Sequence, residues 1–258
     1  MKTGCLMAAV GLAMVGGVKG DDDWRTAFEA KVLEKGARKL PYRIATVGEG
    51  EKLPLVVFLH GAGERGNDNE AQLKHGMKDM MAWCRKEKKA CRIFAPQCAG
   101  DGWWSNLEGN FRGKEPLTLK VEPGWCMAMA FEVIDGLVKE GKADPGRIYI
   151  TGLSMGGFGT LDAISRRPEF FAAAMPICGG GDPKQAEKYK DVPLWVFHGG
   201  KDRTVPLALS EAIVAAVKEA GGDPQFRVYP EAGHDSWSAT YSDPKVLKWL
   251  FTQKKSGE

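Results

Sequence analysis

One serine lies among closely spaced glycines in the stretch "YITGLSMGGFG", residues 149–159. Gly152 and Gly156 flank Ser154 in the pattern G-x-S-x-G, which is typical of a serine presented on a sharp turn between a strand and a helix. Glycines permit that turn because they lack side chains that would collide where the two elements approach. Apolar residues before the motif predict a strand, and those after it predict a helix that stops at Pro168. The spacing predicts that Ser154 is a nucleophile.

A serine hydroxyl needs a base at neutral pH, and a chance match to the pattern in a chain with 33 glycines would lack one. His234 fits the order serine, acid, histidine that accompanies this kind of turn. Asp202 precedes it at the end of a predicted strand, where a carboxylate would orient the imidazole. Weaker candidates for the acid lie beside the base or away from a strand end: Asp182, Asp191, Asp223 and Asp235. We predict a triad of Ser154, Asp202 and His234.

The stretch "FLHGAGERGND" supplies small residues directly after another predicted strand. Backbone N–H groups can approach a substrate there, and we predict that the N–H groups of Ala62 and Met155 form an oxyanion hole. His60 is then a structural residue of this loop, and His198 braces the turn before Asp202.

Strand-like apolar runs alternate with amphipathic segments along the chain. The predicted strands cover 53–61, 92–97, 147–152, 172–180, 193–199 and 226–233, and further predicted helices cover 124–141, 207–222 and 243–253. Continuous apolar runs are typical of strands covered on both faces. The alternation predicts an α/β fold with a mostly parallel sheet flanked by helices, and its active site at the carboxyl ends of the strands.

The first twenty residues resemble a secretory signal peptide. Lys2 precedes an apolar stretch over 5–18, and small residues lie before "DDDW". A membrane anchor and a lipoprotein signal are the alternatives, but the stretch is shorter than the roughly 20 residues that span a bilayer, and Cys5 lies at its start rather than after it. We predict cleavage after residues 1–20, a catalytic domain over 21–258, and an exported protein, periplasmic or secreted, without stable membrane insertion.

Composition and motifs limit the ligands and partners that the chain is expected to bind. The net charge of +3 and the absence of a basic cluster interleaved with aromatics exclude nucleic acid as an expected partner. No motif typical of a metal or dinucleotide site occurs, so we predict no cofactor and no metal. Five cysteines remain beyond Cys5, an odd number. The sequence leaves two alternatives for them: a Cys84–Cys91 disulfide, or buried unpaired thiols.

Four motifs in order, "LHGAGERGNDN", "GLSMGG", "HGGKDRTVP" and "GHDSW", resemble the α/β-hydrolase superfamily. Within it they are similar to exported esterases of the predicted-peptidase, feruloyl-esterase and polyhydroxyalkanoate-depolymerase-like group. The resemblance implies an eight-stranded sheet and the triad named above. No long insertion separates Gly181 from Val192, so no large lid domain is expected.

These observations predict an exported serine hydrolase that cleaves carboxylic esters through an acyl-enzyme. A serine peptidase of the same fold and a non-catalytic binding protein on a hydrolase scaffold are the alternatives. Trp103 and Trp104 follow the strand at 92–97, and Trp237 follows His234. Exposed tryptophans suit stacking on a sugar or an aromatic acyl group, although core packing of at least one is the alternative. We therefore expect short-chain or aromatic esters, free or linked to polysaccharides, as substrates.

Overall fold

The computed structural model describes residues 23–113 and 116–255. The predicted signal peptide, residues 1–20, lies outside these ranges. The strands are β1 (Phe28–Lys35), β2 (Arg38–Val47), β3 (Leu53–Leu59), β4 (Cys91–Pro96), β5 (Leu107–Glu108), β6 (Thr118–Leu119), β7 (Ala143–Leu153), β8 (Ala173–Ile177), β9 (Trp195–Gly199) and β10 (Gln225–Tyr229). The α-helices are α1 (Met77–Lys86), α2 (Trp125–Lys139), α3 (Met155–Arg166), α4 (Ala186–Tyr189), α5 (Leu207–Glu219), α6 (Trp237–Ser242) and α7 (Pro244–Thr252).

Eight strands form one sheet in the order β1-β2-β4-β3-β7-β8-β9-β10. From β4 to β10 neighbouring strands run parallel, whereas β2 pairs antiparallel with both β1 and β4. The short strands β5 and β6 pair with each other outside this sheet. Because β3, β7 and β8 are adjacent and parallel, the loops that follow them meet at one edge of the sheet.

Two apolar cores cover the faces of the sheet. Along β3, Leu55 and Val57 enter the core shared with α2, α3 and α5, whereas Val56 and Phe58 enter the core shared with α1, α6 and α7. Alternate side chains of a strand point to opposite faces, so a strand covered on both sides is apolar throughout. No described helix combines the length and apolar character needed to cross a bilayer.

The α/β fold with a mostly parallel eight-stranded sheet is confirmed, and each predicted strand and helix is present with small shifts at its ends. The helix predicted after Ser154 is α3, which ends at Arg166 before Pro168. No large lid is evident within the two described ranges. The β1–β2 hairpin and α1 were not predicted from local pattern. Strand β1 lies at the sheet edge with mostly exposed residues, so it lacks the apolar run that marked the central strands.

Candidate active site

Ser154 stands at the junction of β7 and α3. Its backbone has φ 53° and ψ −116°, a strained conformation for a residue with a side chain. A Cβ on Gly156 would lie 1.9 Å from the carbonyl oxygen of Leu59, and one on Gly152 would lie 2.4 Å from the carbonyl oxygen of Gly156. The glycines therefore permit the close approach of strand and helix that their spacing predicted. We call residues 152–157 the elbow.

The three predicted triad residues lie in one hydrogen-bonded chain. The Nε2 atom of His234 is 2.9 Å from Oγ of Ser154, and its Nδ1 atom is 2.7 Å from Oδ2 of Asp202. The residues follow β7, β9 and β10, so the parallel sheet brings them to the same edge. In this geometry the histidine can accept a proton from the serine while the carboxylate fixes the orientation of the ring.

The local hydrogen bonds distinguish Asp202 from the neighbouring acid Asp235. The buried Oδ1 of Asp202 accepts the backbone N–H groups of Thr204 at 2.8 Å and Val205 at 3.0 Å, which leaves Oδ2 for the histidine. Asp235 instead accepts the N–H and the hydroxyl of Ser238, at 3.0 and 2.9 Å, at the start of α6. The structure thus brings Asp202 to the base as predicted.

His60 and His198 are buried, as expected for structural residues. The Nε2 atom of His60 accepts the N–H of Cys98 at 2.9 Å, and its Nδ1 atom lies 2.6 Å from the carbonyl oxygen of Gly61. Burial lowers the pKa of His60 to about 4, so the ring is neutral at neutral pH. The Nε2 atom of His198 lies 3.0 Å from the carbonyl oxygen of Val205, and burial lowers its pKa as well.

The predicted oxyanion-hole residues lie at the same edge of the sheet. Ala62 begins a short 3-10 turn after β3, and Met155 is the first residue of α3, where an N–H has no acceptor within the helix. The Nε of Arg65 donates to the carbonyl oxygen of Ala62 at 3.1 Å, and its guanidinium lies 5.4 Å from the ring of Trp103. These contacts hold the loop, while the oxyanion role of both N–H groups stays a prediction.

An apolar cavity of about 370 Å³ is lined in part by Phe158, the residue that follows the elbow. One wall is residue 158 of α3, and the rest belongs to the pocket segment, our name for residues 98–126, which are described except for 114–115. The cavity is lined by Trp103, Ser105, Asn106, Leu107, Gly109, Phe111, Leu117 and Phe158. The N–H of Phe158 donates to the carbonyl oxygen of Ser154 at 3.1 Å, so the cavity lies one helical turn from the serine.

Side chains of α3 hold the pocket segment in place. Asp162 pairs with Arg166, with 2.6 Å between Oδ1 and Nε, and both side chains are nearly or fully buried. Asp162 also accepts the N–H of Asn106 at 2.9 Å, while Arg166 donates to the carbonyl oxygens of Val121 at 2.6 Å and Lys120 at 3.0 Å. The helix that begins at the serine therefore also positions the cavity wall.

The three tryptophans predicted to contact substrate have different surroundings. Trp103 is 44% exposed and lines the cavity. Trp104 is fully buried and donates from Nε1 to the carbonyl oxygen of His60 at 3.1 Å, so the predicted substrate contact for Trp104 is wrong. Its indole packs as core instead. Trp237 packs edge-on against His234, with 5.3 Å between ring centroids, and its predicted contact with substrate stays a prediction.

Cys178, at the end of β8, lies beside the triad. Cys178, Asp202 and His234 each place one metal-binding atom within 4.8 Å of the other two, a spacing that could hold a metal ion. Burial raises the pKa of Cys178 to about 12, so its sulfur is a protonated thiol at neutral pH and a poor metal ligand or nucleophile. The hydrogen bond between Asp202 and Nδ1 also occupies the other two groups.

The sequence interpretation missed Cys178 and the apolar cavity. The position of Cys178 could have been predicted from the sequence. It lies at the end of the strand next to the one that leads to Ser154, so it must lie at the same edge of the sheet as the serine. The position of Phe158 could also have been predicted, since it lies one helical turn after Ser154. Phe111 and Leu117 lie in a segment of irregular backbone, and no local pattern marks them.

Comparisons with known proteins agree with this geometry. The family model of the dienelactone hydrolase family matches residues 121–245, which include the serine, the acid and the histidine. The chain is 37% identical to a thermostable esterase of known structure, with a TM-score of 0.78 over 89% of this chain and 64% of that chain. The chain belongs to the α/β-hydrolase superfamily.

Two further proteins resemble this α/β-hydrolase, one in sequence and one in fold. Carboxylesterase SOBER1 of Arabidopsis thaliana is 27% identical over 196 residues, covering 70% of this chain and 82% of the relative. A ferulic acid esterase structure superposes with a TM-score of 0.64 at 21% identity, covering 87% of this chain and 98% of that one; this likeness concerns the fold. By family, the chain is a carboxylesterase-type hydrolase.

Proposed function

We propose that the protein is a serine esterase that cleaves carboxylic esters through an acyl-enzyme on Ser154. The observation that carries this proposal is the unbroken hydrogen-bonded chain from Ser154 through His234 to Asp202, with separations of 2.9 and 2.7 Å. The carboxylesterase-type relatives support the same reaction class.

The chemistry follows from the donors and acceptors in this chain. Nε2 of His234 takes the hydroxyl proton as Oγ of Ser154 attacks the ester carbonyl, and Asp202 stabilises the imidazolium. The N–H groups of Met155 and Ala62 bind the oxyanion of the tetrahedral intermediate. The histidine then protonates the leaving alcohol. Water attacks the acyl-enzyme with the same histidine as base, and the acid departs.

The cavity next to the elbow supports a short-chain or aromatic acyl group as substrate. Its walls are mostly apolar, and Phe111, Phe158 and Trp103 offer aromatic surfaces to a planar group. A volume of about 370 Å³ suits such a group better than a long alkyl chain. Polysaccharide-linked aromatic esters are included because Trp103 is exposed at the rim.

The proposal includes export to the periplasm or the medium. Its support is the apolar stretch over 5–18 behind Lys2, followed by small residues before "DDDW". The N-terminus of protein recovered from its native host should lie near Asp21 when measured by mass spectrometry. A soluble protein that still begins at Met1 would overturn the export proposal and leave the catalytic one unaffected.

A fluorophosphonate probe tests the nucleophile. We expect the label on the tryptic peptide 148–166, which contains Ser154. Ser154→Ala should lose the label and lower kcat by about 10⁴-fold or more. The matched control Cys178→Ser replaces the nearby thiol and should keep both the label and most of the activity. Label on Cys178, or near wild-type activity in Ser154→Ala, would overturn the proposed mechanism.

A second comparison tests the acid. Asp202→Asn should lower kcat by about 10⁴-fold because an amide favours the wrong histidine tautomer. Asp235→Asn should change kcat only a few-fold because that carboxylate binds Ser238 in the first turn of α6. The reverse order would show that Asp235 orients the base.

A panel of feruloyl, acetyl, long-chain and peptide substrates tests specificity through kcat/KM. Feruloyl or acetyl esters are expected to be cleaved best. A clear preference for peptide bonds would replace the esterase proposal with a peptidase, and absence of turnover and labelling would favour a binding protein.

A further inference from the structure

The buried cysteines of the described chain lie in two pairs, with Cys178 left over. The sulfurs of Cys84 and Cys91 are 3.6 Å apart. The thiols of Cys98 and Cys126 also hydrogen bond to each other. All five sulfurs are unbonded in this structure and belong to buried residues.

The space around Gly102 shows how closely the sulfurs of Cys98 and Cys126 are packed. A Cβ at Gly102 would lie 2.5 Å from the sulfur of Cys126 and 2.9 Å from that of Cys98. Both sulfurs therefore lie on the same side of this turn, which closes through a hydrogen bond from the N–H of Gly102 to the carbonyl oxygen of Ala99 at 2.9 Å. Any larger residue at 102 would displace them.

The two cysteines stand at the two ends of the pocket segment. Cys98 follows β4, and its N–H is the one bound by His60. Cys126 is the second residue of α2. Between them the described residues form the short strands β5 and β6, and side chains of α3 bind the backbone of Asn106 and Val121. A covalent bond between these ends would close the segment that lines the cavity.

The hydrogen bond between the two thiols shifts their pKa values in opposite directions in the folded chain. Hydrogen bonds from the Cys98 thiol and from the N–H of Ala99 lower the pKa of Cys126, and its place in the first turn of α2 acts in the same direction. The hydrogen bond to Cys126 and burial raise the pKa of Cys98. In the folded chain the two sulfurs are therefore linked by one hydrogen bond.

We propose that Cys98 and Cys126 form a disulfide during folding, which tethers the two ends of the pocket segment. A dithiol oxidant in its disulfide form supplies the chemistry: the thiolate of one cysteine attacks one oxidant sulfur, and the other cysteine then displaces the oxidant from the mixed disulfide. The two cysteines lose two electrons and two protons, and the oxidant is reduced to two thiols. Because both cysteines are buried in the folded chain, the bond forms before the segment closes. Its formation in the cell rests on the proposed export.

Peptide mapping tests the bond directly and needs no activity. The protein is refolded in a glutathione redox buffer, alkylated without reduction and digested with trypsin. The expected product is peptide 93–112 joined to peptide 121–139, which separate when dithiothreitol is added. Alkylation of both Cys98 and Cys126 in the oxidised sample, or linkage of either one to another cysteine, would overturn the proposal.

Thermal unfolding tests the consequence with a matched pair of variants. Oxidised protein should melt about 10 °C above the same protein in dithiothreitol, since a disulfide that closes a long loop removes entropy from the unfolded chain. Cys91→Ser should keep most of this difference, whereas Cys126→Ser should lose most of it. The opposite result would show that the stabilising bond lies elsewhere.

Hydrogen exchange covers the case in which Cys126→Ser folds poorly. In wild-type protein, reduction should speed amide exchange in peptides covering 98–113 and leave those covering 148–166 unchanged. Equal exchange of 98–113 in the oxidised and reduced protein would contradict the tether.

Discussion

The elbow and the pocket segment are both attached to α3, yet different forces hold them in place. In the elbow, backbone atoms of neighbouring elements are in contact: a Cβ on Gly157 would lie 2.5 Å from the carbonyl oxygen of Ile177. In the pocket segment, side chains such as Asp162 and Arg166 bind the backbone of irregular chain. A region built on backbone contact tolerates almost no added atom, whereas a region built on side chains weakens one bond at a time.

The largest expected effect comes from adding one methyl group to the elbow. Gly156→Ala places a Cβ 1.9 Å from the carbonyl oxygen of Leu59, so β3 and α3 must separate. We expect a loss of at least about 5 kcal/mol in the free energy of unfolding, together with loss of esterase activity. Urea unfolding and kcat/KM measure the two effects.

The control for this change is Gly136→Ala in α2, where an added Cβ meets nothing within 4 Å. It should raise the free energy of unfolding by about 0.5–1 kcal/mol, because alanine favours a helix over glycine. If both variants were equally stable, backbone contact would not be what holds the elbow.

The next effect concerns the side chains that hold the pocket segment. Asp162→Ala leaves Arg166 buried without its partner and removes the acceptor for Asn106, so we expect a loss of about 3–5 kcal/mol. The exposed pair formed by Asp135 with Arg167 is the control, and Asp135→Ala should cost less than about 1 kcal/mol. Equal losses in urea unfolding would remove the special role of the buried pair.

A pH dependence should arise at the hydrogen bond between His60 and Cys98, the first residue of the pocket segment. An unfolded histidine binds a proton as the pH falls through 6.5, but folded His60 stays neutral down to about 4. The unfolded state binds more protons between these values, so the free energy of unfolding falls as the pH drops from 6.5 to 4, by about 3 kcal/mol. His60→Gln should flatten the profile over this range. An unchanged slope in that variant would assign the titration to another group.

The smallest effect is expected at the cavity rim. Trp103→Ala should lower kcat/KM for feruloyl esters about 3–10-fold, with little change for acetyl esters and no change in Tm. Trp104→Ala should instead cost about 3–5 kcal/mol of stability, because it empties a buried site. A Trp103→Ala variant that loses stability but keeps its feruloyl preference would place this residue with the core.

The same contrast explains what could be predicted from sequence. The elbow, the strands before Asp202 and His234, and the central sheet follow from short patterns, because glycine spacing and apolar runs record local sterics and burial. The cavity does not follow in this way. Asp162 contacts Asn106, and Cys98 contacts Cys126, only after distant parts of the chain have folded. The indole of Trp104 is buried for the same reason, although its neighbour Trp103 is exposed.

The attachment points of the pocket segment have a consequence for how new specificities arise. Side chains of α3 bind it at Asn106, Lys120 and Val121, and the guanidinium of Arg112 donates to the carbonyl oxygen of Thr204 at 3.2 Å. The stretch between them holds the cavity residues Leu107, Phe111 and Leu117. Substitutions at these three cavity residues that retain Arg112 can therefore reshape the cavity while Thr204 and the triad residue Asp202, which accepts its N–H, keep their positions. Selection for a new substrate can therefore change the shape of the cavity separately from the residues of the proposed triad.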